Sequence, residues 1–195
     1  MDKRVLVTYA TWAGSTTAVA ESIADGLRRE GIETDVRPAS EVRDLDPYAA
    51  VVAGTPVHAG RPHPELADFV KRHTGRLSEL PVAYFVVCMT MKEDTEENRA
   101  TSEGFLRSIR ERHPEVSPID IGLFAGAIPG DKDRTGDLSF LSRFMLKATK
   151  ARPEDCRDPE KAREWGTYLA ARLLRDFVEK EDVRAGTPSA ETRSP

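Results

Sequence analysis

Short apolar segments alternate with helical patterns along most of the chain. Residues 5–9, 49–54, 82–88 and 119–126 have the composition of strands buried on both faces, and 33–37 alternate like an edge strand. Apolar residues recur at helical spacing within 15–29, from 64 onward, within 95–112 and within 159–178. Only a short polar stretch separates the second and third strands, so we expect a loop or a degenerate helix there. This alternation predicts an α/β fold, a parallel sheet with helices on both faces.

The length of 195 residues predicts one domain with additions. We expect a domain over 1–180, an insertion over 129–153 before the last helix, and a disordered tail over 181–195. Within the insertion, 140–150 place apolar side chains on one helical face and Arg143, Lys147 and Lys150 on another. Three interpretations stay open: a helix covering the domain's own edge, a peripheral contact with a membrane or a quinone-bearing partner, or an oligomer contact.

Composition excludes several classes of protein. The net charge of −4 gives no basic excess for nucleic acid. No apolar run reaches the roughly 20 residues that span a bilayer, and the first residues do not resemble a signal peptide. Two cysteines are too few for a disulfide framework, and we expect reduced thiols in a cytoplasmic protein. The histidines form no ligand group, so we expect no metal site.

The loops after the strands are the first place to look for chemistry, because open parallel sheets bind ligands at the carboxyl ends of their strands. The first loop, 11–16, offers three hydroxyls and a glycine immediately before a helix. Free N–H groups at a helix N-terminus favour an anion, best of all a phosphate. An ordinary Ser/Thr helix cap is the alternative. Neither G-x-G-x-x-G nor G-K-[ST] is present, which disfavours dinucleotides and nucleoside triphosphates.

Two further strand ends complete the predicted site. After the third strand, 54–62 carry two glycines and two prolines, which predicts a shaped, rigid loop whose backbone faces a flat ring. After the fourth strand, 88–91 are apolar and polarizable, as a wall packed against a ring would be.

These loops resemble the flavodoxin family. Thr-x-x-Gly-Ser-Thr in the first loop and Gly-Thr-Pro-Val-His-x-Gly in the second carry the resemblance, with 124–127 and 143–147 in support. Within the family, the chain looks most like the single-domain, menaquinone-dependent protoporphyrinogen IX dehydrogenases. The resemblance covers about 3–178 and implies a flavodoxin-like three-layer αβα sandwich with a five-stranded parallel sheet of order 2-1-3-4-5.

The resemblance also implies FMN across the strand ends. The phosphate would lie on the first loop, formed by Thr11, Trp12, Ala13, Gly14, Ser15 and Thr16. The second loop would border one side of the flavin with Thr55, Pro56, Val57, His58, Ala59 and Gly60. The third would border the other side with Cys88, Met89, Thr90 and Met91.

The sequence departs from the family at the flavin ring, because neither 55–60 nor 88–91 contains the Trp or Tyr that classical flavodoxins stack on it. Trp12 either shields part of the cofactor or anchors the surface. His58 is the candidate catalytic residue, which would donate to a flavin carbonyl or relay a proton. The alternative is that it is a solvated loop histidine.

The resemblance implies an FMN-dependent oxidoreductase of heme biosynthesis, with a reduced tetrapyrrole as electron donor and a quinone or redox protein as acceptor. Two alternatives stay open: a flavodoxin-type electron carrier, and a binding or regulatory module that holds little flavin.

Overall fold

The computed structural model describes residues 4–12, 14–128 and 154–185, with side chains described up to Phe177. Ala13, most of the predicted insertion including 140–150, and the tail beyond 185 lie outside the described residues. The predictions made for those segments therefore stay predictions.

One parallel sheet forms the centre of the domain. Its main strands lie in the order β2-β1-β3-β5-β6, and β4 pairs antiparallel with the end of β3. Because β4 has only two residues, the five long strands follow the order 2-1-3-4-5, which confirms the predicted topology. The sheet strands are β1 (Val5–Tyr9), β2 (Thr34–Pro38), β3 (Ala50–His58), β4 (Arg61–Pro62), β5 (Val82–Cys88) and β6 (Pro118–Ala125).

Helices cover both faces of the sheet. They are α1 (Ser15–Arg29), α2 (Pro64–Leu77), α3 (Glu96–Gly104), α4 (Arg107–Arg112) and α5 (Pro159–Ala185). Alternate residues of β1 face opposite sides, so Val5 and Val7 pack with α1 and α5, whereas Leu6 packs with α2. The two resulting apolar cores make the three-layer sandwich that the sequence predicted.

Two glycines bring α1 against α5. A Cβ on Gly26 would lie 2.1 Å from the carbonyl oxygen of Arg163, and a Cβ on Gly166 would lie 2.2 Å from that of Ile23. Backbone atoms cannot yield as a flexible side chain can, so both positions require glycine. This close packing fixes α1, and with it the first strand-end loop, against the rest of the domain.

Four boundaries differ from the prediction. β3 continues four residues past Gly54, and the predicted helix over 95–112 is interrupted after Gly104. The last helix extends to Ala185, so the first five residues of the predicted tail are helical. The residues on either side of the predicted insertion pair as a short antiparallel ribbon, β7 (Ala127–Ile128) with β8 (Glu154–Asp155). The connection between β2 and β3 contains no helix, as expected.

Candidate functional site

The carboxyl ends of the parallel strands meet at one edge of the sheet. β2 lies on one side of β1 and β3 lies on the other, so the chain reverses direction across the sheet between β1 and β3. Such a switch point leaves a crevice in which open α/β sheets bind ligands. The first and second loops border this crevice.

The first loop presents an uncapped helix N-terminus. Gly14, the residue that caps α1, has φ of 81°, and no side chain caps the helix. Its backbone N–H donates to Thr11 Oγ1 at 2.9 Å, which folds the loop back on itself and leaves the Thr11 hydroxyl proton free to donate outward. The first turn contains no acidic residue to repel an anion.

Thr16, in the first turn of α1, has an unsatisfied hydroxyl. The residue is fully buried, and its Oγ1 finds no hydrogen-bond partner among the described residues. Leaving a buried hydroxyl unpaired costs about 1–3 kcal/mol. A phosphate oxygen at this helix terminus would remove that cost, so the residues present here fit a phosphorylated ligand.

The second loop, predicted to be a shaped, rigid loop, is a β-hairpin. β3 pairs with β4 through Val57 with Pro62 and through His58 with Arg61. The two turn residues, Ala59 and Gly60, have φ of 49° and 74°. Positive φ at both positions is characteristic of a type I′ turn. Gly60 adopts this conformation without steric cost, whereas the backbone of Ala59 is strained.

Contacts at Gly54 and Pro56 explain why β3 is longer than predicted. A Cβ on Gly54 would lie 1.9 Å from the Phe85 ring, so this glycine permits close packing in mid-strand. The pairing of β1 with β3 ends at Gly54. Pro56 therefore needs no N–H for β1, and its carbonyl instead accepts from the N–H of His63 at 3.2 Å.

His63 is a site residue that the sequence analysis missed. Its N–H also donates to the buried Thr55 hydroxyl at 2.9 Å, and its Nδ1 accepts from the N–H of Glu65 at 3.2 Å, which caps α2. Nδ1 acts as acceptor, so the proton of the neutral ring is on Nε2. Burial lowers the pKa of His63 below its usual value, against a smaller opposing effect of Glu65. The sequence feature that could have identified it is a histidine directly before Pro64, at the start of a predicted helix.

Three aromatic rings join the first loop to the second. The Trp12 indole lies 4.5 Å from the His63 ring and 5.6 Å from the His58 ring, measured between centroids. The His63 contact is tilted by 53°, and the His58 contact is edge-on at 70°. Trp12 and His58 are half-buried, whereas His63 is buried. Trp12 is therefore part of the crevice wall.

The third loop folds inward. Met89–Lys92 form a 3-10 turn in which Met91 is buried, and the Cys88 sulfur lies 3.3 Å from the Ser102 hydroxyl. Further along, Asp94 accepts from Arg99 and from Lys161 at the start of α5. These hydrogen bonds lower the Asp94 pKa, with Arg99 having the larger effect. Lys92 pairs with Glu154 at 2.5 Å, so the third loop is tied to the ribbon on either side of the predicted insertion.

The predicted site residues thus divide into two groups. One group is buried and engaged in internal contacts, apart from the unpaired hydroxyl of Thr16; it comprises Thr16, Thr55, Pro56, Cys88 and Met91. The other group is at least partly exposed on the three loops and comprises Thr11, Trp12, Gly14, Ser15, Val57, His58, Ala59, Gly60, Met89 and Thr90. Ala13 lies outside the described residues.

Other parts of the structure are weaker candidates for a ligand site. A cavity of about 500 Å³ is lined by residues of α3, α4 and the start of β6, among them Arg107, Arg110, Glu103 and Glu111. These two basic and two acidic side chains give the lining no net charge. Within the described residues, no three His, Cys, Asp or Glu side chains are placed to hold a metal. No helix in this part of the chain is long and apolar enough to cross a bilayer.

An open parallel sheet with a crevice at its switch point is the arrangement in which α/β proteins bind nucleotides and flavins. A family model described as Flavodoxin domain matches residues 6–159. Among solved structures, an archaeal flavodoxin superposes with a TM-score of 0.53 at 16% identity, over 88% of this chain and 99% of that one. A WrbA-like flavodoxin from Agrobacterium tumefaciens gives 0.53 at 15% identity, over 89% and 98%. The chain therefore belongs to the flavodoxin-domain family of flavin-binding oxidoreductases.

Two curated relatives carry the same functional name. Protoporphyrinogen IX dehydrogenase (quinone) of Escherichia coli strain K12 is 27% identical over 149 residues, which are 74% of this chain and 77% of that protein. The protein of that name from Leishmania major is 29% identical over 152 residues, which are 75% of this chain and 63% of that protein.

Proposed function

We propose that the chain binds FMN at the carboxyl edge of its sheet, with the phosphate on the first loop. The observation that carries this proposal is the buried, unpaired hydroxyl of Thr16 at an uncapped helix N-terminus. Hydrogen bonds to charged groups contribute about 1.5–3 kcal/mol each, so a few uncharged donors suffice to hold a phosphate. The donors are the hydroxyls of Thr11, Ser15 and Thr16 and the N–H groups of the first turn, with Trp12, Ala13 and Gly14 completing the loop.

The second and third loops border the flavin ring on either side in this proposal. Val57, His58, Ala59 and Gly60 contribute from the hairpin, and Met89 and Thr90 contribute from the third loop. The buried residues Thr55, Pro56, Cys88 and Met91 hold those loops in place rather than touch the ring with their side chains. The reason is visible at Thr55, whose hydroxyl already accepts from the N–H of His63.

His58 is the proposed proton-handling residue. It ends β3 beside the crevice, and its half-buried ring keeps contact with solvent. An imidazole can both donate and accept a proton through its ring nitrogens, which suits a residue that holds or moves a proton during a redox reaction. The flavin, when bound, supplies the redox centre itself.

The proposed reaction is the oxidation of a protoporphyrinogen-type tetrapyrrole with a quinone of the menaquinone class as electron acceptor. The support is that the relatives from Escherichia coli and Leishmania major bear this activity in their names and align with about three quarters of the chain. The protein would then act in heme biosynthesis. A peripheral membrane contact through 140–150 belongs to the same proposal.

An anaerobic assay tests the reaction. Protein loaded with FMN is mixed with protoporphyrinogen IX, and the flavin absorbance is followed; a menaquinone analogue is added afterwards. We expect the tetrapyrrole to bleach the flavin and the quinone to restore its colour. Bound FMN that the tetrapyrrole cannot reduce, but a flavodoxin reductase can, contradicts the proposal and supports an electron carrier. A protein that binds no flavin supports a binding module.

A further inference from the structure

A planar ring bound at the crevice needs an apolar surface to lie against, and few side chains here provide one. The tip of the second loop has only the small residues Ala59 and Gly60. In the third loop, Met91 is turned into the core and Met89 is the remaining apolar side chain. Among the described residues of the three loops, Trp12 is the one Phe, Tyr or Trp. Its indole keeps part of its surface exposed.

Trp12 is held in place by the second loop. Its closest ring contact is the tilted one with His63. The backbone N–H of His63 donates to both Thr55 Oγ1 and the Pro56 carbonyl, and its ring Nδ1 accepts from the N–H of Glu65, which caps α2. His58 supports the indole from a second direction. These two ring contacts hold the indole at the border of the crevice.

We propose that Trp12, positioned on the rings of His63 and His58, is the residue that packs against the bound flavin ring. This inference rests on the proposed function, because it assigns a residue to the same site. Its physical basis is that aromatic pairs gain favourable energy beyond the burial of area, which corresponds to about three- to tenfold in affinity. The first loop would then bind both ends of the cofactor, the phosphate through its hydroxyls and amides and the ring through Trp12.

The two contributions can be separated with two ligands. FMN and riboflavin share the ring, but only FMN carries the phosphate. The dissociation constants of both are measured for the wild type and for Trp12→Ala, Trp12→Phe and Thr16→Val, with Trp165→Phe as the matched control. Trp165 lies on α5 against Phe124, away from the three loops. Thermal unfolding of each variant shows that it is folded, and the fluorescence of the bound flavin gives a second readout.

We expect Trp12→Ala to weaken FMN and riboflavin by the same factor, about three- to tenfold, and to raise the fluorescence of the bound flavin, since a packed indole quenches it. Trp12→Phe should retain most of the affinity for both ligands, and Trp165→Phe should retain all of it. Thr16→Val should weaken the binding of FMN but not that of riboflavin. Unchanged or tighter binding by Trp12→Ala overturns the inference, and tighter binding means that the indole blocks the ring site. Weaker FMN binding with unchanged riboflavin binding also overturns it. A wild type that binds neither flavin refutes the proposed function together with this inference.

Discussion

The buried hydroxyl of Thr55 accepts a hydrogen bond from the backbone N–H of His63 at 2.9 Å. This bond joins β3 to the residue that caps α2 and closes the hairpin between them. The imidazole on which Trp12 rests is therefore positioned by a strand residue that is itself fully buried. The position of the crevice wall follows from the core of the sheet and not from the exposed loop tip.

Replacing this hydroxyl should loosen the hairpin. Thr55→Val keeps the shape of the side chain but removes the acceptor, and we expect the free energy of unfolding to fall by about 1 kcal/mol. The Pro56 carbonyl still accepts from the His63 N–H, which keeps the loss modest. Urea titration measures it. Thr55→Ser, which retains the hydroxyl, is the control, and equal stability of the valine and serine variants contradicts this assignment.

His63 should make stability depend on pH. Burial lowers its pKa from the ordinary value of 6.5, so the unfolded chain takes up a proton at a higher pH than the folded chain. The contribution of His63 to stability is therefore full above pH 6.5 and decreases as the pH falls toward its pKa in the folded state. Protonation also removes the Nδ1 acceptor that caps α2.

His63→Asn tests this dependence, because asparagine can cap a helix but does not titrate in this range. Urea titrations at several pH values should show a smaller loss of stability below pH 6.5 than in the wild type. The remaining slope is expected from His73, whose pKa burial also lowers. The same variant at His73 completes the comparison. A pH profile that His63→Asn leaves unaltered rules out the proposed role of the ring.

Thr16→Val should stabilise the protein without ligand while weakening FMN binding. Removing an unpaired buried hydroxyl is expected to raise the free energy of unfolding by about 1–2 kcal/mol. Losing a bond to a charged phosphate should weaken FMN binding at least tenfold, on the order of 1.5 kcal/mol. Denaturation without ligand and calorimetric titration with FMN measure the two effects.

Thr8 supplies a matched control for this prediction. It is the fourth of the five residues of β1 and is fully buried, and its hydroxyl also lacks a partner among the described residues. Thr8→Val should stabilise the protein to a similar extent and leave FMN affinity unchanged. If the valine variants at Thr8 and Thr16 bind FMN equally well, the phosphate does not reach Thr16.

Replacing Ala59 with asparagine should relieve the backbone strain of the turn and stabilise the protein. Asn-Gly is the preferred pair for a type I′ turn, and asparagine tolerates the positive φ that Ala59 adopts. We expect Ala59→Asn to raise the melting temperature by a few degrees, corresponding to about 1 kcal/mol. Gly60→Ala, which introduces the same strain at the neighbouring position, should lower it. Opposite signs for these two substitutions are required if the turn is of type I′.

Two helical glycines should respond oppositely to alanine. Gly26→Ala places a Cβ against the Arg163 carbonyl, which cannot move aside, and is expected to cost about 3 kcal/mol. Gly75 in α2 has nothing within 4 Å of its Cβ position, so Gly75→Ala should add about 0.5–1 kcal/mol through helix propensity. Chemical denaturation checks both. A Gly26→Ala protein as stable as the wild type contradicts the close packing of α1 on α5.

The sheet and its order could be predicted because buried strands such as β5 (Val82–Cys88) are continuous apolar runs with clear limits. The second loop could not, because Gly54 and Pro56 are turn residues by composition. Their place in a strand depends on the Phe85 ring and on the end of β1, which are contacts distant in sequence.

The first loop is predicted to be an anion site from its hydroxyls and glycine, which are local features, and this stays a prediction. The contact of Trp12 with His58 and His63 was not foreseen, because it joins residues about 50 positions apart. The positions of Met91 and Cys88 in the third loop also depend on contacts with residues distant in sequence. Their apolar character suggested a ring wall, but the structure places them in the core beneath the third loop.

A crystal structure of the protein with FMN tests the central claim most directly. The account predicts phosphate oxygens within hydrogen-bond distance of Thr16 Oγ1 and of the first N–H groups of α1, with the flavin ring between the second and third loops. Phosphate bound elsewhere, with the Thr16 hydroxyl still unpaired, would contradict it.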